Sequence, residues 1–124
     1  MKKENILITG CSGYVGTVLI SKIKKNIVGI DKHKSKFKDF RLKQINLLNK
    51  KKLQEFINKL RPNIIIHLAA ESTLDNVLTK KKLYKNNNII GTRNLLSSVK
   101  NLKLKKFIFS STASVYKNSN KILS

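Results

Sequence analysis

In TGCSGYVG, Gly10, Gly13 and Gly16 recur at every third position between an apolar run and a segment with helical periodicity. A loop of this kind is suited to holding a phosphate. Glycine lets the backbone turn sharply, approach a pyrophosphate closely and pack the next helix against the preceding strand. The anion then meets the free N–H groups and the positive dipole end of that helix. Three glycines alone are a weak signal, because a tight turn without a ligand has the same composition. Asp31 supplies the context. It ends a second apolar run about 20 residues beyond Gly10, the spacing at which a carboxylate meets an adenosine ribose. A carboxylate there accepts from ribose hydroxyls and repels a 2′-phosphate, which predicts NAD rather than NADP. Lys32, His33 and Lys34 follow at once and are placed to soften that preference.

Three later stretches also carry groups of interest. HLAAES, His67 to Ser72, puts the small Ala69 and Ala70 where a flat cofactor can lie against the end of a strand. Read singly, His67 is a core histidine rather than a base. YKNNNIIGTRNLL, Tyr84 to Leu96, sets a run of Asn in a helical region, which is costly unless the amides hydrogen-bond to something; a helix cap is the plain alternative. FSSTASVY gathers Ser110, Ser111 and Thr112 at the end of the last apolar run, expected to face the same crevice as the glycine loop.

The elements that must position these groups are legible from periodicity. Asn5 to Thr9 and Ile27 to Ile30 read as buried strands, and Val15, Val18, Leu19 and Ile23 recur at helical spacing between them. A weak strand at Leu42 to Leu47 follows, then a helix at Lys50 to Leu60 with Leu53, Phe56, Ile57 and Leu60 on one face. Pro62 separates that helix from a strong strand at Ile64 to Leu68. A helix-rich stretch covers Leu74 to Val99, broken near Asn86, and Lys106 to Phe109 forms a fifth strand. Lys32 to Lys43 is polar and basic and reads as a loop or short helix. The alternation predicts an α/β fold, a doubly wound parallel sheet.

Composition bounds the remaining possibilities. A chain of 124 residues with 40% hydrophobic and 27% charged residues can build one core, and no low-complexity linker divides it. Its net charge of +21 comes almost wholly from Lys, since Arg occurs only at Arg41, Arg61 and Arg93. Lys is the poorer residue for bidentate recognition, and these are spread along the whole chain, so a solvated basic surface is expected rather than a specific nucleic-acid site. One cysteine, Cys11, excludes an intrachain disulfide and a multi-cysteine metal site, and fits a reducing, cytoplasmic setting. No run is long and apolar enough to span a membrane.

TGCSGYVG, Asp31, HLAAES, NNNIIGT and FSSTASVY, in this order and spacing, resemble the extended short-chain dehydrogenase/reductase family, in its NAD-dependent nucleotide-sugar epimerase/dehydratase branch. SSTASVY is most similar to the UDP-glucose 4-epimerase form. The dTDP-glucose 4,6-dehydratase form, which HLAAES also resembles, has an acidic pair where this chain has Ala113 and Ser114. The resemblance implies a Rossmann-like domain over residues 1–124, with the sheet truncated after the fifth strand and the C-terminal substrate domain absent. It implies an NAD site lined by Gly10, Gly13, Tyr14, Val15, Gly16, Asp31, Asn46, Leu47, Leu68, Ala69, Ala70, Ser72 and Asn87. Asn46 stands where the family usually has an adenine-contacting Asp, and weakened rather than lost binding is expected. Thr112 is implied as the catalytic hydroxyl on the sugar 4-hydroxyl, and no metal is implied.

The family's reaction is a reversible oxidation at sugar C4, with a tyrosine phenolate as base and a nearby Lys lowering its pKa. That pair comes from a YxxxK motif downstream of the Ser/Thr cluster. Here Tyr116 is the only tyrosine after the cluster, and Asn120 stands four residues on. Lys117 replaces the glycine usual after that tyrosine. The expectation is an N-terminal portion of a usually homodimeric nucleotide-sugar enzyme, inactive alone, with an exposed apolar edge at the fifth strand that favours self-association. The rival readings are a stand-alone NAD-binding or sensing module and, from another class, a basic nucleic-acid-binding domain.

Overall fold

The computed structural model describes residues 4–24, 26–35, 38–68 and 86–110, with the backbone alone for 86 and 87. Five short parallel strands form one sheet: β1 (Ile6–Thr9), β2 (Ile27–Asp31), β3 (Leu42–Gln44), β4 (Ile64–His67) and β5 (Lys106–Phe109). Their order is β3-β2-β1-β4-β5. The chain therefore winds outward from β1 first to one side and then to the other. Registers are fixed by Ile6 opposite both Ile27 and Ile64, and by Ile64 opposite Lys106. β3 and β5 are the edges among the described residues, and Ile108 and Phe109 of β5 are exposed.

Side chains alternate across the sheet, so each strand feeds two cores. On one face Leu7, Ile30 and Ile65 pack with Leu53 and Ile57 of α2 (Lys50–Leu60) and with Leu95 and Val99 of α3 (Gly91–Val99). On the other, Ile8 and Ile27 pack with Ile20 of α1 (Tyr14–Lys22) and with Cys11. The apolar runs of β1 and β4 are continuous because both faces are covered.

The α2 helix matches the expected span. Asn49 accepts from the Lys52 N–H at its start, and Arg61, with φ 50°, ends it in the left-handed region. β3 is shorter than expected, ending at Gln44. The Asn46 side chain accepts from the Leu48 N–H at 2.9 Å and bends the chain, although Ile45 and Leu47 remain buried. The face of α1 also differs from the periodicity. Gly16 and Ile20 are buried, Leu19 and Ile23 are partly so, and Val15 and Val18 are exposed. The helix is turned by its approach to the glycine loop, which a side chain at position 16 would block. From Asn86 the chain forms a π turn, Asn86–Ile90, that runs directly into α3. The expected helical residues 74–85 lie outside the described residues.

Candidate functional site

The site lies at the carboxyl end of the sheet, where the order reverses between β1 and β4, the place at which doubly wound sheets bind ligands. Gly10 leaves β1 with φ 78°, a conformation that L side chains rarely adopt. Its N–H donates to Ile30 O at 2.9 Å, which pins the loop to β2. Gly16 is needed for a different reason. A Cβ there would lie 2.5 Å from Gly10 O and 2.7 Å from Cys11 Cα, both backbone atoms that cannot move aside.

Gly13 answers whether a phosphate fits. It is exposed at the start of α1, its φ of −77° suits any residue, and a Cβ would meet only Gly10 O at an ordinary 3.4 Å. The fold itself therefore makes no steric demand for glycine at 13. What its missing side chain leaves open is the helix N-terminus, where Tyr14 and Val15 are exposed and Gly13 supplies no side-chain cap. The first-turn N–H groups, which a helix cannot satisfy internally, face outward with the dipole behind them. A pyrophosphate is suited to that cradle.

Asp31 sits beside the same loop. Its Oδ2 accepts from the Ser12 N–H at 3.0 Å and its Oδ1 from the His33 N–H at 2.8 Å. Ser12 Oγ also donates to His33 O at 3.2 Å. The carboxylate thus holds the glycine loop to the end of β2. Each oxygen accepts only one of these bonds, and a carboxylate oxygen has two lone pairs, so both retain capacity for a ribose hydroxyl.

Two sequence-invisible contacts shape the loop from below. Cys11 is 2% exposed and lies against Gly29 of β2, where a Cβ would come within 2.5 Å of Cys11 Cβ. Burial, with a smaller contribution from the charge of Asp31, pushes the Cys11 thiol up to about 11. It is a packing group, not a nucleophile. Arg41, from the stretch read as a polar loop, reaches the end of α1 and donates to Ile23 O at 2.9 Å and Ile20 O at 3.3 Å, while pairing with Asp39 at 2.8 Å. Those bonds satisfy carbonyls that the helix leaves without partners.

His67 is buried at the end of β4. Nδ1 is 2.5 Å from Thr9 Oγ1 and Nε2 is 2.9 Å from Thr92 Oγ1. Leu68 N–H donates to the same Thr9 hydroxyl at 3.1 Å. Every donor has an acceptor when Thr9 O–H donates to Nδ1 and Nε2–H donates to Thr92. The ring is flanked by Phe107 and Phe109, and burial lowers its pKa to about 4. A neutral imidazole therefore ties β1, β4 and α3 together.

Of the other expected site residues, Asn46 is exposed and Leu47 buried after β3, and Leu68 follows β4 half-buried. Leu47 O accepts from Asn94 Nδ2 at 2.9 Å, so an asparagine of α3 that the sequence reading passed over fixes the loop carrying Asn46 and Leu47. Asn87 lies on the π turn, and only its backbone is described. Ala69, Ala70, Ser72 and Thr112 lie outside the described residues, as do Ser111 and Tyr116. The structure thus brings together Gly10, Gly13, Tyr14, Val15, Gly16 and Asp31 around one loop. Among the described residues there is no cluster placed to hold a metal, and no helix is long and apolar enough to cross a membrane.

Comparison with known proteins agrees with this geometry. The model of the NAD dependent epimerase/dehydratase family matches residues 6–123. The chain belongs to that family. Among curated relatives, it is 36% identical to a dTDP-D-glucose 4,6-dehydratase of Dictyostelium discoideum, over 91% of this chain and 30% of the relative. It is 33% identical to a UDP-glucose 4-epimerase of Mycoplasma genitalium, over 92% of this chain and 37% of the relative. Among solved structures, a UDP-glucose 4-epimerase superposes with a TM-score of 0.82 at 29% identity, covering 98% of this chain and 39% of that one. That of Thermotoga maritima, solved with UDP-glucose, gives 0.80 at 26% identity over 95% and 41%. This family member thus spans less than half the length of these relatives and carries the β3-β2-β1-β4-β5 sheet.

Proposed function

We propose that this chain binds NAD and forms the cofactor-holding part of a nucleotide-sugar enzyme of the UDP-glucose 4-epimerase kind. The observation that carries the reading is the Asp31 carboxylate, hydrogen-bonded to Ser12 N–H of the glycine loop and still able to accept. Pyrophosphate is held at the start of α1 by the backbone of Tyr14 and Val15, across the gap that Gly13 leaves. Ribose hydroxyls donate to Asp31. Asn46 and Leu47 border the adenine and Leu68 backs the cofactor beyond β4; Ala69, Ala70, Ser72 and Asn87 are assigned to the same site from the sequence motifs that carry them. Bound NAD supplies a hydride acceptor for the sugar carbon, and Thr112 is the hydroxyl that orients the sugar 4-hydroxyl.

The reaction needs a tyrosine base with a lysine beside it, and the 124 residues contain no YxxxK. NAD binding without hydride exchange on UDP-glucose is the expected behaviour of this polypeptide; exchange by the purified chain overturns the second half of that statement. The epimerase form is favoured over the dehydratase form by Ala113 and Ser114, where a dehydratase carries acids. Calorimetric titration with NAD tests the cofactor. Asp31→Ala is expected to weaken binding by at least about tenfold, the loss of one charge-assisted hydrogen-bonding group. Asp31→Asn, which keeps an acceptor for Ser12, separates loss of the ligand contact from collapse of the loop. Unchanged affinity in both variants refutes the assignment.

A further inference from the structure

The hydrogen bonds of His67 belong to a longer series that runs in one direction. Leu68 N–H is shared between Thr9 O at 3.0 Å and Thr9 Oγ1 at 3.1 Å. The Thr9 hydroxyl donates to His67 Nδ1, and His67 Nε2–H donates to Thr92 Oγ1 at 2.9 Å. This direction leaves no donor in the series without an acceptor, and it sets the ring as the Nε2–H tautomer. The series therefore starts on the backbone of Leu68, just beyond β4, and ends on Thr92 in the first turn of α3.

Its far end matters because of what α3 carries. The π turn Asn86–Ile90 runs into α3 without a break, so the turn is placed wherever the first residues of the helix are placed. Apolar packing gives the turn little hold of its own: Ile89 and Ile90 are 49% and 38% exposed, and Ile90 supplies no side-chain cap. The apolar anchors of α3 lie further along, at Leu95 and Val99. Near its start the helix is tied down by Thr92, to His67 at the end of β4, and by Asn94, to Leu47 O at 2.9 Å. Both ties lead to segments that carry residues assigned above to the cofactor, Leu68 and Leu47.

We propose that His67 and Thr92 are positioning residues for the dinucleotide: their hydrogen bond sets the π turn that carries Asn87 against the end of β4, and so governs cofactor affinity. The proposal rests on the NAD reading above. Without the bond, the first turn of α3 has more than one position open to it. Affinity then falls in proportion to the fraction of molecules in which the turn is correctly placed. The net contribution of one neutral hydrogen bond corresponds to about fivefold.

The test is calorimetric titration with NAD of the full chain and of Thr92→Val, Thr92→Ser and Val99→Ala, at a temperature where urea unfolding shows each to be folded. Thr92→Val removes the acceptor for Nε2–H while keeping a similar shape, and is expected to weaken NAD binding about fivefold. Thr92→Ser keeps the hydroxyl and is expected to bind within about twofold of the parent. Val99→Ala opens space in the core at the other end of α3. It is expected to lower the unfolding midpoint and leave NAD affinity unchanged, because lost global stability does not alter a dissociation constant among folded molecules. Nitrogen NMR of the parent is expected to show His67 as the Nε2–H tautomer. Unchanged affinity in Thr92→Val, no recovery in Thr92→Ser, an equal loss in Val99→Ala, or an Nδ1–H tautomer each refutes the positioning role and leaves the NAD reading intact. Failure of the parent chain to bind NAD overturns both.

Discussion

Acidification from about pH 6.5 to about pH 4 is expected to remove about 3 kcal/mol of stability through His67 alone. The ring is 1% exposed, accepts at Nδ1 from Thr9 and donates from Nε2 to Thr92. A second ring proton turns Nδ1 into a donor aimed at a hydroxyl oxygen that already accepts from Leu68, and it places a cation in a buried site. Burial accordingly lowers the pKa from 6.5 to about 4. The unfolded chain takes up the proton as pH falls past about 6.5, whereas the folded chain resists until about 4. The stabilisation is therefore complete above the unfolded value and lost as pH falls through the window. Each pKa unit corresponds to about 1.4 kcal/mol, so the span is worth about 3 kcal/mol. Against a total of about 5–15 kcal/mol for an ordinary domain, that is a large share. Urea unfolding at a series of pH values, for the parent chain and for His67→Asn, isolates it, because the difference between the two curves cancels the carboxylates common to both. A difference that stays flat from pH 6.5 to 4 refutes the reasoning. So does a ring found protonated by NMR at pH 5.5 in the folded chain.

Gly16→Ala is expected to cost about 1–3 kcal/mol in denaturant unfolding, because the added carbon meets only backbone; an unchanged midpoint would show that the helix does not approach the loop as described. Cys11, with its thiol at about 11, should resist iodoacetamide at pH 8 in the folded chain and react once urea is added, as followed by mass spectrometry. Arg41→Ala removes two bonds to the end of α1 and the grip on Asp39, and should lower stability by about 1–3 kcal/mol in thermal unfolding. Arg41→Lys should recover only part of this, since an ammonium cannot fork between Asp39 and the helix carbonyls.

The parallel α/β alternation and the glycine loop follow from features that sequence carries openly: two apolar runs at Ile6–Thr9 and Ile64–His67, glycines at fixed spacing, and one acid at the end of β2. What sequence conceals are contacts whose partners lie far along the chain. Val15 and Val18 have the right period for burial, yet Gly16 turns the helix so that Ile20 is buried instead. Arg41 reads as one charge in a basic loop, and only the return of β3 beside β2 shows it to be the cap of a helix that ended 19 residues earlier at Lys22. Gly29 reads as a weak point in a strand. In three dimensions it is the space into which Cys11 fits. Asn94 was hidden for the same reason, since its partner is a carbonyl 47 residues away.

β1 is paired on both sides, with β2 nearby in sequence and with β4, whose Ile64 stands opposite Ile6. In hydrogen-exchange terms the sheet should erode from its margins. Amides of β3 and β5 can escape through local opening, while those of Leu7 and Ile8 exchange only when the whole domain comes apart. The glycine loop grows out of that innermost strand. Its anchorage is thus the longest-lived part of the described sheet, and the glycine loop keeps its shape through fluctuations that release the strands around it.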